Sequence, residues 1–144
     1  MQIWLDPAGA ADLPPARALA RRGMLPYYIA YDLLWQDQAF DDTWHWREQR
    51  VVRDGPRWLG FLSLSADRRA LYIRELHLLE AVRGQGVGAQ VLDLVLAMAR
   101  ERKLALVRLT VFKSNRAQRL YARHGFVQVG EDDCFYRMER PAPG

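Results

Sequence analysis

Arg83-Gly84-Gln85-Gly86-Val87-Gly88 is the stretch that decides the fold of this chain. Residues 71–79 before it are apolar-rich and of strand length, and residues 89–103 after it carry apolar side chains at helical spacing. A strand, a glycine loop and a helix in this order direct unpaired backbone N–H groups and the positive end of the helix dipole toward an anion. Glycines let that anion approach the main chain, because no Cβ intervenes. The loop therefore predicts a site for a pyrophosphate or a similar group.

Two familiar phosphate loops do not fit the same stretch. A Walker loop ends in Gly-Lys-Ser or Gly-Lys-Thr, whereas this loop ends in Gly88-Ala89-Gln90. A dinucleotide fingerprint spaces its glycines as Gly-x-Gly-x-x-Gly, whereas these fall at every second position. The ligand is therefore expected to be of another kind.

The stretch resembles the acyl-CoA loop of the GNAT superfamily of N-acetyltransferases. Arg83, Gly86 and Gly88 match the Arg/Gln-x-x-Gly-x-Gly/Ala pattern that this family carries between its fourth strand and third helix. Further on, Asn115 after a strand and Tyr121 on the next helix are similar to the family's second landmark. The order and spacing fit from about residue 71 to 138, although Glu80 stands where many members have Pro.

The resemblance implies the fold class and the donor. The expected architecture is an α/β (α+β) GNAT-type fold, with a mixed central sheet of about six to seven strands, splayed strands 4 and 5, and about four helices. Residues 1–144 are read as one domain, in which 1–70 form the acceptor side and 71–138 the acetyl-CoA-binding core. The co-substrate is expected to be acetyl-CoA, and no metal is expected.

The resemblance also implies which residues contact the donor. In the family the pantetheine arm pairs with main chain of the fourth strand, so Leu78 and Leu79 are expected to line it. The Leu78 N–H would face the thioester oxygen as an oxyanion donor; both leucines also fit a plain core. The residues expected to bind acetyl-CoA are Leu78, Leu79, Arg83, Gly84, Gln85, Gly86, Val87, Gly88, Asn115 and Tyr121.

Two of these residues carry a second interpretation. Tyr121 is the candidate general acid for the leaving thiolate, because a phenol with a pKa of about 10 stays protonated at neutral pH. It also fits an ordinary aromatic packed on a short helix. Asn115 is interpreted either as a CoA contact or as a helix N-cap, with Gln118 three residues on completing a capping box.

The base that deprotonates the acceptor amine is sought on the fourth strand. Glu75 and His77 lie two residues apart and so share one face of that strand. Glu75 is the first choice, acting directly or through water. The alternative for Glu75 is an ion pair with an arginine on a neighbouring strand, such as Arg108, and His77 fits a satisfied structural histidine.

The acceptor pocket is expected among the N-terminal helices. That region mixes aromatic and acidic side chains, which suits a cationic amine; core aromatics with solvated acids are the plainer interpretation. The side chains concerned are Tyr27, Tyr28, Tyr31, Trp35, Trp44, Trp46, Asp32, Asp37, Asp41 and Asp42.

Composition limits the class of protein. With 144 residues, 50% hydrophobic and 26% charged, the chain has the balance of a globular domain. No signal peptide or membrane span is predicted, and Cys134 as the single cysteine suits a reducing cytoplasm. The net charge of +4 comes from scattered arginines, so no nucleic-acid partner is expected.

Glycines, prolines and the spacing of apolar residues predict where helices and strands begin and end. In the N-terminal part, a first helix starts at Pro14 and Pro15, continues over 16–22 and ends at Gly23. A second helix over 24–35 and a short helical turn over 41–48 precede strands at 49–53 and 58–65. In the C-terminal part, the helix over 89–103 is followed by a strand at 104–112, a short helix and a hairpin of strands 126–129 and 135–138.

The predicted function is an N-acetyltransferase that moves an acetyl group from acetyl-CoA to a primary amine of a small molecule or peptide. Direct attack in a ternary complex is expected, since Cys134 has no His partner in its local sequence. The protein is expected to act as a monomer or homodimer. The alternative is a non-catalytic acyl-CoA-binding sensor, which needs the loop but neither Tyr121 nor Glu75.

Overall fold

A computed structural model describes the chain from Met1 to Gly144. Strands and helices follow one another along the chain as β1 (Trp4–Pro7), α1 (Leu13–Ala30), α2 (Asp37–Trp44), β2 (Glu48–Asp54), β3 (Arg57–Ala66), β4 (Ala70–Leu78), α3 (Val87–Glu101), β5 (Leu106–Phe112), α4 (Ala117–Arg123), β6 (Val127–Glu131) and β7 (Phe135–Pro141). Short 3-10 turns at Ala10–Asp12 and Glu80–Val82 complete the set. None of the helices is long and apolar enough to cross a membrane.

The strands form one seven-stranded mixed sheet in the order β1-β2-β3-β4-β5-β7-β6. β4 and β5 are parallel, whereas β1 with β2, β2 with β3, β5 with β7 and β6 with β7 are antiparallel. The parallel ladder runs from the pair Ala70↔Leu106 to the pair Ile73↔Leu109, which is the first half of β4. The sheet and the four helices confirm the predicted fold class.

The chain divides into two compact units. The first comprises Met1–Leu64 with Glu75–Val87, and the second comprises Ser65–Arg74 with Gly88–Gly144. A single domain over residues 1–144 stays a prediction.

The first unit has a core made by α1, α2 and β3. Its fully buried members include Ala16 and Ala20 from α1 and Phe61 from β3, with Phe40 and Trp44 from α2 packed on them. Small side chains on α1 leave room for the large rings of α2 and β3, which is how a core reaches crystalline packing density.

The second unit packs α3 through an apolar stripe. Val91, Leu92, Val95 and Ala99 are each 0% exposed, as their helical spacing predicts. The sheet side of this unit carries an ion pair, in which Arg108 Nε donates to Glu139 Oε2 at 2.9 Å.

The prediction that Gly23 ends a helix was wrong. α1 is one helix from Leu13 to Ala30, and both Gly23 and Pro26 lie inside it. A Cβ added at Gly23 would stand 3.2 Å from Nδ1 of His77, so the glycine makes room for a ring. The short helical turn predicted over 41–48 is only partly right, since α2 spans Asp37–Trp44 and Glu48 already belongs to β2.

Candidate active site

A cleft opens in the first unit at the second half of β4. It has a volume of about 200 Å³, and Glu75 is the β4 residue that lines it. α1 and α2 with their connecting loop provide Tyr28, Trp35 and Phe40, and Arg47 follows α2. The predicted base therefore lies in a cleft built largely by the N-terminal helices.

The aromatic wall of the cleft is part of a continuous ring cluster. Trp35 contacts Tyr28 edge-on at 5.3 Å between centroids and Phe40 at 6.1 Å. Phe40 in turn lies 5.9 Å from Phe61 of the core, again edge-on. Such pairs add to the area they bury, so the wall is held from behind by the core. Of the aromatics predicted for the acceptor pocket, Tyr28 and Trp35 line it, whereas Trp44 is buried and Trp46 is 86% exposed.

Glu75 is bonded to the next inward-facing residue of its own strand. Nε2 of His77 lies 2.5 Å from Oε2 of Glu75. An ionised carboxylate can only accept, so Nε2 then carries the hydrogen. The His77 ring is buried and stacks on Phe61 with centroids 5.4 Å apart. This contact holds the carboxylate in place and leaves its second oxygen, Oε1, outside that bond.

The alternative interpretation of Glu75, an ion pair with Arg108, is wrong. Arg108 donates to Glu139 and, through Nη1, to the hydroxyl of Tyr72 at 3.0 Å. The carboxylate of Glu75 is paired with His77. The arginine that could have explained Glu75 as a structural ion pair thus has other partners.

The environment of Tyr28 in the cleft raises the pKa of its hydroxyl. Burial, and after it the negative charge of Glu75, raises the pKa of the Tyr28 phenol above its ordinary value. The hydroxyl therefore stays protonated at neutral pH, and it can donate a hydrogen bond inside the cleft.

The end of β4 is shaped by a bulge in β3. Between the pairs Val52↔Gly60 and Arg53↔Trp58, Leu59 is the extra residue. The carbonyl of Leu59 accepts from the N–H of Leu79 at 2.8 Å. The N–H of Leu79 is therefore already paired, and the Leu78 N–H stays the predicted oxyanion donor.

The glycine loop follows directly. Gly84 and Gly86 have φ of 76° and 77°, a conformation that side-chain-bearing residues adopt only with strain. Residues 83–86 are exposed, whereas Val87 at the start of α3 is 1% exposed and anchors the loop. Helix α3 begins at Val87, so Gly88 lies in its first turn. The predicted sequence of strand, loop and helix is confirmed.

Two side chains tie the loop to the residues before it. Arg83 Nη2 donates to the carbonyl of Leu78 at 3.4 Å, and Gln85 Nε2 donates to the carbonyl of Ala81 at 2.9 Å. At 3.4 Å the Arg83 bond is longer than an ordinary N–H···O hydrogen bond, and it uses one of five guanidinium N–H groups, so donors are left for a phosphate oxygen.

Asn115 and Tyr121 lie in the second unit. Oδ1 of Asn115 accepts from the N–H of Ala117 at 2.9 Å, which satisfies a donor at the start of α4. The predicted capping box does not form, because Gln118 Nε2 donates to the carbonyl of Lys113 instead. Tyr121 is half-buried on α4, with its ring edge-on to Phe126 at 6.0 Å.

Glu75, Leu78, Leu79 and residues 83–87 of the glycine loop thus belong to the first unit, whereas Gly88, Asn115 and Tyr121 belong to the second. Sequence reasoning missed Arg47, which lines the cleft immediately beyond α2. Arg47 lies in a short irregular segment between a helix and a strand, where no hydrophobic periodicity indicates which side chains face a cleft. Its position could therefore not be predicted from the sequence. No group of His, Cys, Asp and Glu side chains is arranged to hold a metal ion.

A mixed sheet with parallel β4 and β5 and a glycine loop that opens α3 are the features predicted for an acyltransferase. The chain belongs to the acetyltransferase (GNAT) family, whose model matches residues 16–126. No curated protein sequence matches the chain.

Solved structures of this family share the fold at low sequence identity. The Ard1 protein of Thermoplasma volcanium superimposes with a TM-score of 0.79 at 22% identity, covering 100% of both chains. The ribosomal-protein-S18-alanine N-acetyltransferase of Escherichia coli gives 0.77 at 18%, covering 98% of this chain and 94% of that one. The PaiA N-acetyltransferase of Thermoplasma acidophilum, solved with coenzyme A, gives 0.76 at 15%, covering 98% and 99%.

Proposed function

We propose that this acetyltransferase moves the acetyl group of acetyl-CoA to the primary amine of a small molecule or peptide, by direct attack in a ternary complex. The observation that carries the proposal is the position of Glu75. It lines the cleft and lies three residues before Leu78 on the same strand. A base and an oxyanion donor on one rigid strand are what an attack on a thioester requires.

In this scheme Glu75 takes a proton from the acceptor ammonium. The ammonium has a pKa of about 10, so most of it is charged at neutral pH and cannot attack. The released electron pair forms the bond from nitrogen to the acetyl carbon, and the carbon–sulfur bond breaks. His77 holds the Glu75 carboxylate through the bond at Oε2, which leaves Oε1 to receive the proton directly or through water.

The end of β4 and the loop hold the donor. The main-chain groups of Glu75–Leu78 lie beyond the ladder with β5, which ends at Ile73, so they suit pairing with a pantetheine arm. The Leu78 N–H stabilises the oxyanion; removing such donors in other enzymes costs about 2.7–4 kcal/mol of transition-state stabilisation. The N–H groups of residues 84–88, with Arg83, hold the pyrophosphate.

Tyr121 and Asn115 complete the scheme by their positions in the family pattern. Tyr121 on α4 gives its hydroxyl proton to the leaving thiolate and regains a proton from the second one that the acceptor nitrogen loses as the amide forms, and Asn115 at the start of that helix contacts CoA. No step in the scheme needs a metal ion. The proposal includes action in the cytoplasm as a monomer or homodimer, without a nucleic-acid or membrane partner.

The test follows free thiol while the protein is incubated with acetyl-CoA and a panel of amines, amino acids, polyamines and peptides. Amine-dependent thiol release is the expected result. Glu75→Gln should lower kcat/KM by about 10²–10⁴-fold, the usual contribution of a general base. Tyr121→Phe should lower kcat far more than it weakens acetyl-CoA binding.

Glu101→Gln on α3 and Tyr136→Phe on β7 are the matched controls, because they make the same chemical changes outside the proposed site. If acetyl-CoA binds by calorimetry but no acceptor releases thiol, the sensor alternative replaces the enzyme. If acetyl-CoA does not bind, the proposal is wrong altogether.

A further inference from the structure

We infer that the acceptor is a small amino-acid-like zwitterion, whose carboxylate binds Arg47 while its amine faces Glu75. The inference rests on the proposed function and adds the substrate class. It starts from the charged side chains of the cleft, which are one arginine and one glutamate, Arg47 and Glu75. A ligand that complements both has one anionic and one cationic group.

The acids of the N-terminal helices do not turn the cleft into a polycation site. Asp41 receives two hydrogen bonds from Arg17, at 2.8 and 2.9 Å. Asp42 accepts from Gln38, and Asp37 accepts from the indole N–H of Trp35 at 2.8 Å. None of these carboxylates lines the cleft, so a polyamine or an aminoglycoside would meet one glutamate and a repelling arginine.

Arg47 suits a carboxylate better than a general positive charge would. Its side chain is half-buried, where ionic contacts are screened less than at a free surface. A guanidinium has five N–H donors in a planar fork that matches the two oxygens of a carboxylate. With that many donors, a contact to a protein partner leaves others for the ligand.

The size and the walls of the cleft fit a single amino acid. Its volume of about 200 Å³ is below the roughly 300–1,000 Å³ of pockets that enclose drug-sized ligands. Tyr28, Trp35, Phe40 and Leu34 provide an apolar wall for a side chain. The cleft thus offers a separate complement to each of the three parts of an apolar amino acid.

The experiment compares acceptors that share one side chain and differ in the carboxylate. L-leucine, L-leucinamide and 3-methylbutylamine are assayed by thiol release, with the L-phenylalanine set and spermidine in parallel. We expect kcat/KM to be about tenfold to a hundredfold higher for the amino acid than for the amine without a carboxylate, the range expected of a hydrogen bond to a charged group. L-leucinamide represents the N-terminus of a peptide and should behave like the amine.

Arg47→Gln is the decisive variant. It should reduce the ratio of kcat/KM between L-leucine and 3-methylbutylamine to near one, and comparing the same amines on both enzymes cancels their intrinsic reactivity. Arg22→Gln, an exposed change on α1, should leave the ratio as it is. An unchanged ratio in Arg47→Gln, or a wild-type preference for L-leucinamide or spermidine, overturns the inference while acetyl transfer itself stands.

Calorimetry separates a failure of the inference from a failure of the proposed function. L-leucine is titrated into the protein saturated with CoA, before and after Arg47→Gln. Binding of L-leucine that depends on Arg47 without any turnover supports the amino-acid site at Arg47 and contradicts the proposed acetyl transfer. Turnover of amines with no preference for a carboxylate does the reverse.

Discussion

Gly23 of α1 lies against the imidazole of His77 on β4, so closely that a Cβ on the glycine would stand 3.2 Å from Nδ1. The His77 ring also stacks on Phe61 and forms a hydrogen bond with Glu75, and these two contacts fix its position. A glycine inside a helix costs roughly 0.5–1 kcal/mol relative to alanine. The glycine is needed here because it leaves room for the His77 ring, which in turn bonds to the proposed base, Glu75.

Enlarging residue 23 should therefore disturb the fold through His77. Gly23→Val is expected to lower the free energy of unfolding by about 1–3 kcal/mol, the usual cost of overpacking. Gly23→Ala should change it by less than about 1 kcal/mol, since the gain in helix propensity offsets a small shift of the ring. Urea unfolding measures both. Ala18→Val, an exposed position on the same helix, is the control; equal effects of Gly23→Val and Ala18→Val would contradict the role of His77.

The second close approach is between Gly60 of β3 and the end of β4. A Cβ at Gly60 would collide with the carbonyl oxygen of His77, and it would stand 2.9 Å from Cα of Leu78. Both are backbone atoms, which cannot rotate away. Gly60→Ala should thus cost about 1–3 kcal/mol of stability or more, and it should displace the Leu78 N–H.

The readouts are urea unfolding and kcat/KM for acetyl transfer. Gly9→Ala is the matched control, because its φ is −108° and its nearest neighbour would be 4.0 Å from the added carbon. A Gly60→Ala protein with wild-type stability and turnover would show that the main chain near Leu78 tolerates movement.

The elements with strong local signals were predictable from the sequence. The apolar spacing over 89–103 predicted α3, and the hairpin predicted for strands 126–129 and 135–138 corresponds to β6 and β7. Gly23 misled the prediction, because a glycine that ends a helix and one that admits a tertiary neighbour look alike in sequence. Tertiary contact overrode the local preference, and no local pattern reports a ring that arrives from a strand more than 50 residues away.

The candidate site was predictable to a similar extent. Glu75 could be singled out because a titratable residue on an apolar strand needs a reason. The alternative interpretation paired Glu75 with Arg108, whereas in the structure Glu75 pairs with His77 on the same strand. Arg47 escaped notice because arginines are common in this chain, and only the folded cleft distinguishes one from another.

The turn between β3 and β4 should make stability depend on pH. Oδ1 of Asp67 accepts from the N–H groups of Arg69 and Ala70, both at 2.8 Å, and Oδ2 accepts from the hydroxyl of Tyr72. The two backbone hydrogen bonds, chiefly, lower the pKa of Asp67 below its ordinary value. The ionised carboxylate therefore contributes stability above the unfolded-state pKa of about 3.9, and this contribution is lost as the pH falls through the folded-state pKa.

Asp67→Asn should accordingly lower the free energy of unfolding at pH 7 and pH 5, and the difference from wild type should shrink below about pH 4. Urea titrations across this range measure it. Asp133→Asn removes the same charge from the turn between β6 and β7 and serves as the control. A difference that stays constant from pH 7 to pH 3 would contradict the assignment of the stabilisation to the ionised carboxylate.

Strain in the glycine loop should affect the donor and not the fold. A Cβ at Gly84 finds open space, so the only cost of Gly84→Ala is its φ of 76°, about 1–2 kcal/mol for an L-residue. The loop is exposed and can relax to another conformation, which would misdirect the N–H groups assigned to the pyrophosphate. We expect acetyl-CoA affinity, measured by calorimetry, to fall about tenfold.

Gly55→Ala imposes the same kind of strain in the turn between β2 and β3, with φ of 57° and equally open space. It should lower stability without changing affinity, and equal losses of affinity in the two variants would remove the loop from the binding site.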